Sequence, residues 1–507
     1  MSQTAAMTAP AEQLGPPERL HPLYLLTGLG QSVRGAWGML AGGAILAAQG
    51  RWWIAVLLVV GSAVFSTVAL FVRWLKLEYR VGPHEIRIDS GFLNRTSRAI
   101  PFDRVTDVDL EQGPIHRLFG LARVKLETGG SAGGKEEEGV LHTISLERAE
   151  ALREHIRARK GLAPIAAAAE SESEAPPLFE MDSKRVLTAG LFNFSLAVLA
   201  GLFGVTQTLG DAMGFDPFKQ SFWIDLFARS GPLRDLVIAH QIGAIIAGSI
   251  LLVLIGVGTG MVRTVLREHG FRLDRTETGF RRRRGLLTLT DVSIPAKRVQ
   301  AAILASGPMR RAFGWWELKL QSLSQDGGKG DHVVAPLADE LEAEEVLRSL
   351  QWPIGPGSDP WRPISRAHVT SYAALVGPPA LLPIAIPFMG AAGLTVLAYA
   401  PFLGLVAVAW LAGAPILIGT RWLSWRRTRY AVSPGTLFVE TGWWRHRRSI
   451  VPARKIQSID IAESWWTRLF GICTLRLGVA GGSGFSDHHV PALSRPEAEA
   501  LRAELLA

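Results

Sequence analysis

Uncharged stretches of membrane-crossing length alternate along this chain with stretches in which apolar and charged residues change places every residue or two. Residues 20–50 carry one charge, Arg34, and residues 52–72 carry none. Val186–Gly210 and Leu236–Val262 form a second pair, with His240 as their ionisable member, and Ala367–Thr420 contains no Asp, Glu, Lys or Arg. About 20 apolar residues cross a bilayer as a helix, so each region predicts a helical hairpin, six spans in all. Arg34 fits this reading as an arginine snorkelling to the cytoplasmic end of the first span. The connection 211–235 carries Phe218, Phe222, Trp223, Leu226 and Phe227 along one helical side, which predicts a segment resting in the far interface.

The polar stretches have the period of strands. In Glu85-Ile86-Arg87-Ile88-Asp89 every second residue is apolar, and turn-forming Gly91, Gly113-Pro114 and Gly129-Gly130 punctuate the residues after it. A helical run with Leu146, Ala149, Leu152 and Ile156 on one face closes the segment. Short strands followed by one amphipathic helix outline a small β-sandwich with a helical cap.

That outline is written three times in one register. A glycine is followed after ten positions by a proline behind an aliphatic residue, and nineteen positions later by a second glycine behind phenylalanine. The instances are Gly91, Pro101 and Gly120; Gly285, Pro295 and Gly314; and Gly442, Pro452 and Gly471. An arginine stands three before the second glycine each time, as Arg117, Arg311 and Arg468. Successive prolines are 194 and 157 residues apart (295 − 101 and 452 − 295), so the repeated objects are whole domains and not solenoid units. Glycine permits the positive φ of a tight hairpin, proline ends ladder pairing, and Phe-Gly is expected to turn the chain beneath a buried ring. These positions therefore read as scaffold.

The resulting order is a tail over 1–22, a hairpin over 23–74, a β-module over 75–159 and a linker over 160–182. A second hairpin comes next over 183–264, with the extracytoplasmic loop 211–235, then a module over 265–351 and a linker over 352–366. The last hairpin spans 367–421 and the last module 422–507. The linkers are assigned from their Ala/Ser/Glu/Pro and Gly/Pro bias.

Composition sharpens this picture. A mean hydropathy of +0.20 with 20% charged residues is too apolar for an ordinary soluble protein and too polar for a wholly embedded one. One cysteine, Cys473, excludes an internal disulfide framework. The net charge of +9 would suit nucleic acid or an anionic membrane; the arginines decide for the membrane, since they crowd beside apolar spans at 73–80, 263–284 and 421–429. No nucleic-acid partner is expected. The positive-inside rule puts all three modules and both termini in the cytoplasm.

Candidate contacts arise from the same frame. Arg104, Arg298 and Lys455 stand three after the proline, and the hairpin before it carries Arg281, Arg282, Arg283 and Arg284 or Trp443, Trp444, Arg445, Arg447 and Arg448. Tryptophan beside arginine suits the headgroup boundary, where a ring lies at carbonyl depth and a guanidinium pairs with phosphate. Asp487-His488-His489 and Asp331-His332 fail as metal sites, because adjacent histidines on a strand face opposite sides. No nucleophile elbow, P-loop, HExxH or dinucleotide motif stands in a supporting context, so neither enzyme nor cofactor is expected.

The two-span hairpin, the G-x9-[IV]-P frame with its basic residues, the R-x-F-G motif and the closing Glu/Ala-rich helix together resemble the bacterial pleckstrin-homology (PH) membrane proteins, and among them the YdbS/YdbT-like type. The resemblance implies three transmembrane hairpins alternating with three PH-like β-sandwich domains, each a bent seven-stranded sandwich capped by a C-terminal helix. It implies no catalysis and no phosphoinositide motif. It suggests a bacterial inner-membrane scaffold in envelope stress or antimicrobial resistance, meeting anionic lipid and either itself or a smaller single-domain relative. Two rival functions are weighed: a six-helix transporter or lipid-moving protein using His240, Gln241, Asn193 and Thr206, and a regulator of a partner membrane enzyme.

Overall fold

The computed structural model describes residues 15–28, 50–91, 95–128, 139–159, 176–194, 240–326, 329–388, 401–481 and 488–506, with isolated positions from 39 to 46. Its strands fall into three sets of seven. The first set is β1 (Glu18–Arg19), β2 (Glu78–Val81), β3 (Glu85–Ser90), β4 (Thr96–Pro101), β5 (Val105–Gln112), β6 (Leu121–Thr128) and β7 (Val140–Ser145). The second is β8 (Phe179–Glu180), β9 (Arg272–Thr276), β10 (Gly279–Arg284), β11 (Leu289–Pro295), β12 (Val299–Ser306), β13 (Trp316–Asp326) and β14 (Lys329–Ala338). The third is β15 (Arg362–Pro363), β16 (Arg429–Ser433), β17 (Thr436–Thr441), β18 (His446–Pro452), β19 (Ile456–Ala462), β20 (Ile472–Val479) and β21 (His488–Ser494). Each set ends in a helix: Leu146–Arg159, Glu340–Ser349 or Arg495–Leu506.

The opening strand of each set lies before the apolar stretch, in segments that composition alone assigns to tail or linker. Glu18 pairs with Tyr79, Phe179 with Leu273, and Arg362 with Tyr430. Each pairing closes the chain on itself across the intervening apolar residues. Indoles reinforce two of these closures: Trp74 Nε1 donates to Leu20 O at 2.9 Å and Trp425 Nε1 to Ile364 O at 3.0 Å.

Among the described residues, two helices are long and apolar enough to cross a membrane, Trp52–Lys76 and the Ile246–Glu268 part of Gln241–Glu268. A further pair, Ala367–Phe388 and Pro401–Arg427, packs through Tyr372, Val376 and Ala414. The expected partner helix Val186–Gly210 is described to Phe194, as a short helix Ser183–Leu191, and the loop 211–235 lies outside the described residues. Three complete hairpins are therefore not established by these helices.

Sets of strands are not sealed within one module. The chain divides into two compact units, residues 1–276 with 281–293 and residues 277–280 with 294–507, so the division falls inside the second set. In the first unit β5 pairs antiparallel with β11, putting Gln112 opposite Leu289, Glu111 opposite Thr290 and Leu110 opposite Asp291. In the second, β12 pairs with β18, putting Ser306 opposite His446 and Leu304 opposite Arg448. One sheet thus runs β7-β6-β5-β11-β10-β9-β8 and another β14-β13-β12-β18-β17-β16-β15. Each joins the second half of one sandwich to the first half of the next.

The core of the first module gathers Ile86, Phe102, Val105, Val124 and Leu141 with the cap residues Ala149, Leu152 and Ile156, the face expected from helical spacing. In the third module Leu437, Leu475, Val490, Leu501 and Leu505 do the same.

All six repeat glycines have positive φ, and at Gly442 the need is absolute. Its φ is +88°, and an added Cβ would lie 2.1 Å from Arg445 O. Gly435 also has positive φ (+72°), but its Cβ would meet open space. Gly442→Ala is therefore expected to lower stability by more than about 1 kcal/mol, and more than Gly435→Ala does. Thermal unfolding of the two purified variants, followed by resistance of the third module to proteolysis, checks the ranking.

Candidate functional site

Between the first and second strands of each repeat's closing half, Gly-Pro or Ser-Trp starts a single turn of helix that the R-x-F-G motif ends. These turns are Pro114–Leu118, Pro308–Ala312 and Trp465–Leu469. Each is too short to bury a face, and its large apolar residues point outward. Leu118 is 79% exposed, Phe313 68% and Trp465 74%, with Phe119, Met309 and Leu469 also exposed. This corrects the expectation of a buried ring at Phe-Gly: Phe119 and Phe313 are exposed, and Phe470 alone of the three packs against a core. The backbone turns through helix and positive-φ glycine without needing a ring beneath it.

The tips sit at the ends of the apolar helices. In the first unit, Gly285 N donates to His269 O at 2.8 Å and Leu286 N to Leu266 O at 3.0 Å, holding the β10–β11 hairpin at the C-terminus of Gln241–Glu268. Arg117 from the first tip reaches Leu286 O, so exposed Leu286 and Leu287 join Leu118 and Phe119 there. The second unit repeats the arrangement. Arg427, the last residue of Pro401–Arg427, donates to Trp443 O at 3.1 Å. Burial and then the charge of Arg427 lower Arg311 from the ordinary guanidinium value, which places these two cations near one another. Trp443 and Trp444 stack edge to face with centroids 5.5 Å apart, and Trp444 is exposed. The third tip touches the start of the same helical pair, with Trp466 Nε1 donating to Ser371 O at 3.0 Å.

The arginines singled out from sequence divide sharply. Arg281 holds Asp291 with Nη2···Oδ2 at 2.6 Å, Arg283 reaches Asp274 at 3.4 Å, Arg284 bonds Glu268 at 3.0 Å, and Arg282 is fully buried. Arg153 of the first cap helix adds a bond to Asp291 at 3.1 Å, and although burial opposes it, the charges of Arg153 and Arg281 hold this carboxyl well below the usual range. Arg448 is shared between Glu440 (2.8 Å) and Glu340 (3.1 Å), and Arg447 bonds Ser449 Oγ. Arg281, Arg283, Arg284 and Arg448 thus face carboxylates. Arg445 is exposed beside Glu317, Arg104 is exposed, and Arg298 is half-buried in the turn after Pro295. Lys455 donates to Lys297 O at 2.9 Å in a cleft it shares with Arg454 and Trp352, where burial and then Arg454 lower its pKa.

The remaining polar candidates have structural settings. His488 Nε2 lies 2.7 Å from Gln321 Oε1, and burial, then Arg447, push its pKa down to about 3. His332 is buried, Asp487 and Thr206 lie outside the described residues, His240 is exposed ahead of Gln241–Glu268, and Asn193 Nδ2 donates to Thr264 Oγ1 at 2.9 Å. Sequence reasoning missed the exposed tips. Their signal was present in the apolar residues around each R-x-F-G motif, Leu118 and Phe119, Met309 and Phe313, Trp465 and Leu469.

Comparison with known proteins bears on this arrangement. A family model described as bacterial PH domain matches residues 25–160, 228–352 and 385–507. The chain is similar to the UPF0699 transmembrane protein YdbT of Bacillus subtilis (strain 168), 24% identical over 306 residues that cover 57% of this chain and 58% of that protein. It is also similar to the UPF0699 transmembrane protein YdbS of the same organism, 33% identical over 96 residues, 19% of this chain and 57% of the relative. The chain thus spans less than two thirds of the length of either. No solved structure matches.

Glu440 supplies a pH test of the junction side of the site. It is buried, and although burial favours its neutral form, hydrogen bonds from His446, Arg429 and Arg448 hold its pKa at about 2. A depressed carboxyl contributes stability that is fully present above its unfolded value near 4.5 and is lost as pH falls through about 2. Glu440→Gln is expected to cost about 3 kcal/mol at pH 7 by leaving Arg448 and Arg429 without their carboxylate. The difference from the parent protein should shrink as acid unfolding is followed from pH 5 to pH 2.

Proposed function

The chain belongs to the bacterial PH domain family, whose model matches more than half of it, and from that premise we propose that it is an integral scaffold of the bacterial cytoplasmic (inner) membrane. In this reading three hairpins cross the bilayer and the three PH modules, with both termini, lie on the cytoplasmic side. The modules rest on anionic headgroups and assemble with copies of themselves or with a smaller single-domain PH membrane protein. Envelope stress or antimicrobial resistance is the physiological setting we propose.

One observation carries the reading: exposed apolar side chains and arginines gather where the apolar helices end. An exposed leucine or tryptophan is ordinary alone, but three tips that each join exposed apolar residues to arginine, beside the ends of apolar helices that carry Arg267, Arg426 and Arg427, match the chemistry of the headgroup boundary. The closure of β1 on β2, β8 on β9 and β15 on β16 supports the topology. Each brings the chain before and after an apolar stretch into one ladder, at the ~5 Å spacing of paired strands, which fits an even number of crossings between. The family and its relatives bear transmembrane and domain names, and none denotes an enzyme.

Spin labels at Phe119, Phe313 and Leu469 of the full chain in nanodiscs test the proposal. At each site collisions with oxygen should exceed those with a water-soluble nickel chelate, and the contrast should rise when anionic lipid replaces neutral lipid. Accessibilities typical of free solution at all three sites would remove the membrane-facing role.

A further inference from the structure

Two of the edge strands among the described residues stand where the other repeats have a strand paired on both sides. β4 ends the sheet β1-β2-β3-β4, and β19 begins the sheet β19-β20-β21. The equivalents of both are paired elsewhere: β11 and β18 stand where β4 stands in the repeat, and β5 and β12 where β19 stands. Burial records the difference. Every residue of β12 is buried, whereas every residue of β19 is half-buried or exposed.

The two pairings inside the chain share one register. Gln112 lies eleven after Pro101 and faces Leu289, six before Pro295; Ser306 lies eleven after Pro295 and faces His446, six before Pro452. The inner ladders agree as well. Glu111 pairs with Arg123, Ala305 with Glu317 and Ala462 with Thr474, always ten and twenty-two after the proline, and all three ladders are irregular between the fourth and sixth positions. β19 is therefore built like β5 and β12 and differs in having one neighbouring strand, β20, where they have two among the described residues.

We propose that β19 of one copy takes β4 of a second copy in that same register, so that the chains join head to tail. This deepens the assembly part of the function proposed above and rests on it. Transferring the register puts Ala462 opposite Thr96, Ile461 opposite Ser97, Asp460 opposite Arg98 and Ile459 opposite Ala99, with Glu463 opposite Arg95. Two acidic residues of one edge meet two arginines of the other. Opposed unlike charges favour an antiparallel pair and like charges disfavour it, so β19 against β19, or β4 against β4, brings charges of one sign together. The exposed edges accept each other in preference to themselves, where a bare edge would aggregate without choice. A contact between two different patches is heterologous and continues into a ring or a row.

The test uses two tagged full-length copies co-expressed in native membranes, both carrying Cys473→Ser. With Asp460→Cys in one and Arg98→Cys in the other, mild oxidation should yield a covalent dimer bearing both tags, because opposed strand residues lie within disulfide range. Asp460→Cys with Ser97→Cys, one residue out of register and on the other face, should yield little. Asp460→Arg should also reduce co-purification of the two tagged copies, and adding Arg98→Asp to the partner copy should restore it. Absence of the mixed dimer, equal yields for both cysteine pairs, a disulfide closed within one chain, or capture of a different protein by Asp460→Cys would each overturn the proposal. Spin labels at the tips read membrane apposition separately, so failure of the strand pairing is distinguishable from failure of the membrane-facing role.

Discussion

A strand at the margin of a sheet presents a row of amide and carbonyl groups that need partners, and this fold is arranged by how that need is met. An isolated sandwich of one four-stranded and one three-stranded sheet would leave four such margins. Here the margin of one repeat's closing half is given to the opening half of the next, at β5–β11 and again at β12–β18. The ladder makes the contact stiff, and buried ion pairs fix who meets whom. Asp291 on β11 reaches the preceding cap helix through Arg153, and Arg448 on β18 likewise reaches the preceding repeat's cap helix through Glu340. Both residues lie four before their proline, with the charges exchanged between partners. Breaking either pair would leave a poorly hydrated charge, a larger penalty than the pair's net worth, so the salt bridges act on specificity more than on stability.

The same hydrogen-bonding demand governs the passage through the apolar stretches. Backbone groups in hydrocarbon must be satisfied within the segment, which selects helices, while the polar ends are tied by a two-residue ladder and, in two repeats, by an indole at the helix end. Trp74 and Trp425 suit this role because a ring can lie against apolar chain while its N–H reaches a carbonyl. The apolar stretch is thereby part of its module and not a tether attached to it. A shift of the helices is transmitted to β1 or β15, and from there to the core that Leu20 or Ile364 enters.

Legibility from sequence tracked the distance over which each signal acts. Local period gave the strands, the cap helix and its buried face at Ala149, Leu152 and Ile156, and exact spacing between glycines and prolines gave the repeat. The opening strands were missed because two residues such as Glu18–Arg19 or Arg362–Pro363 have no period, and their partners lie on the far side of an apolar segment. The exchange of sheet edges was missed for a related reason: each half-sandwich has the same pattern whichever copy it pairs with. The tips were obscured by a correct generalisation. Phenylalanine before glycine is usually core, but a single helical turn flanked by arginine has no interior in which to place it.

The arginines show why net charge alone misleads about a surface. In the run Arg281 to Arg284, three side chains meet Asp291, Asp274 or Glu268 and the fourth is buried, and in the third module Glu440 engages Arg429 and Arg448. A basic run on a strand alternates between two faces, so when one face is core and the other meets a cap helix, both sides call for carboxylates. Other cations stay at the surface, among them Arg117 and Arg468 at the tips and Arg427 at a helix end. Each basic group near an anionic surface contributes about 1 kcal/mol, too little to dock a module alone, and each exposed apolar side chain adds of order 1–3 kcal/mol if buried. In the proposed membrane-facing role, pairing the two chemistries at every tip would give a contact that is weak singly and additive over three repeats, which is the condition under which weak contacts can set orientation.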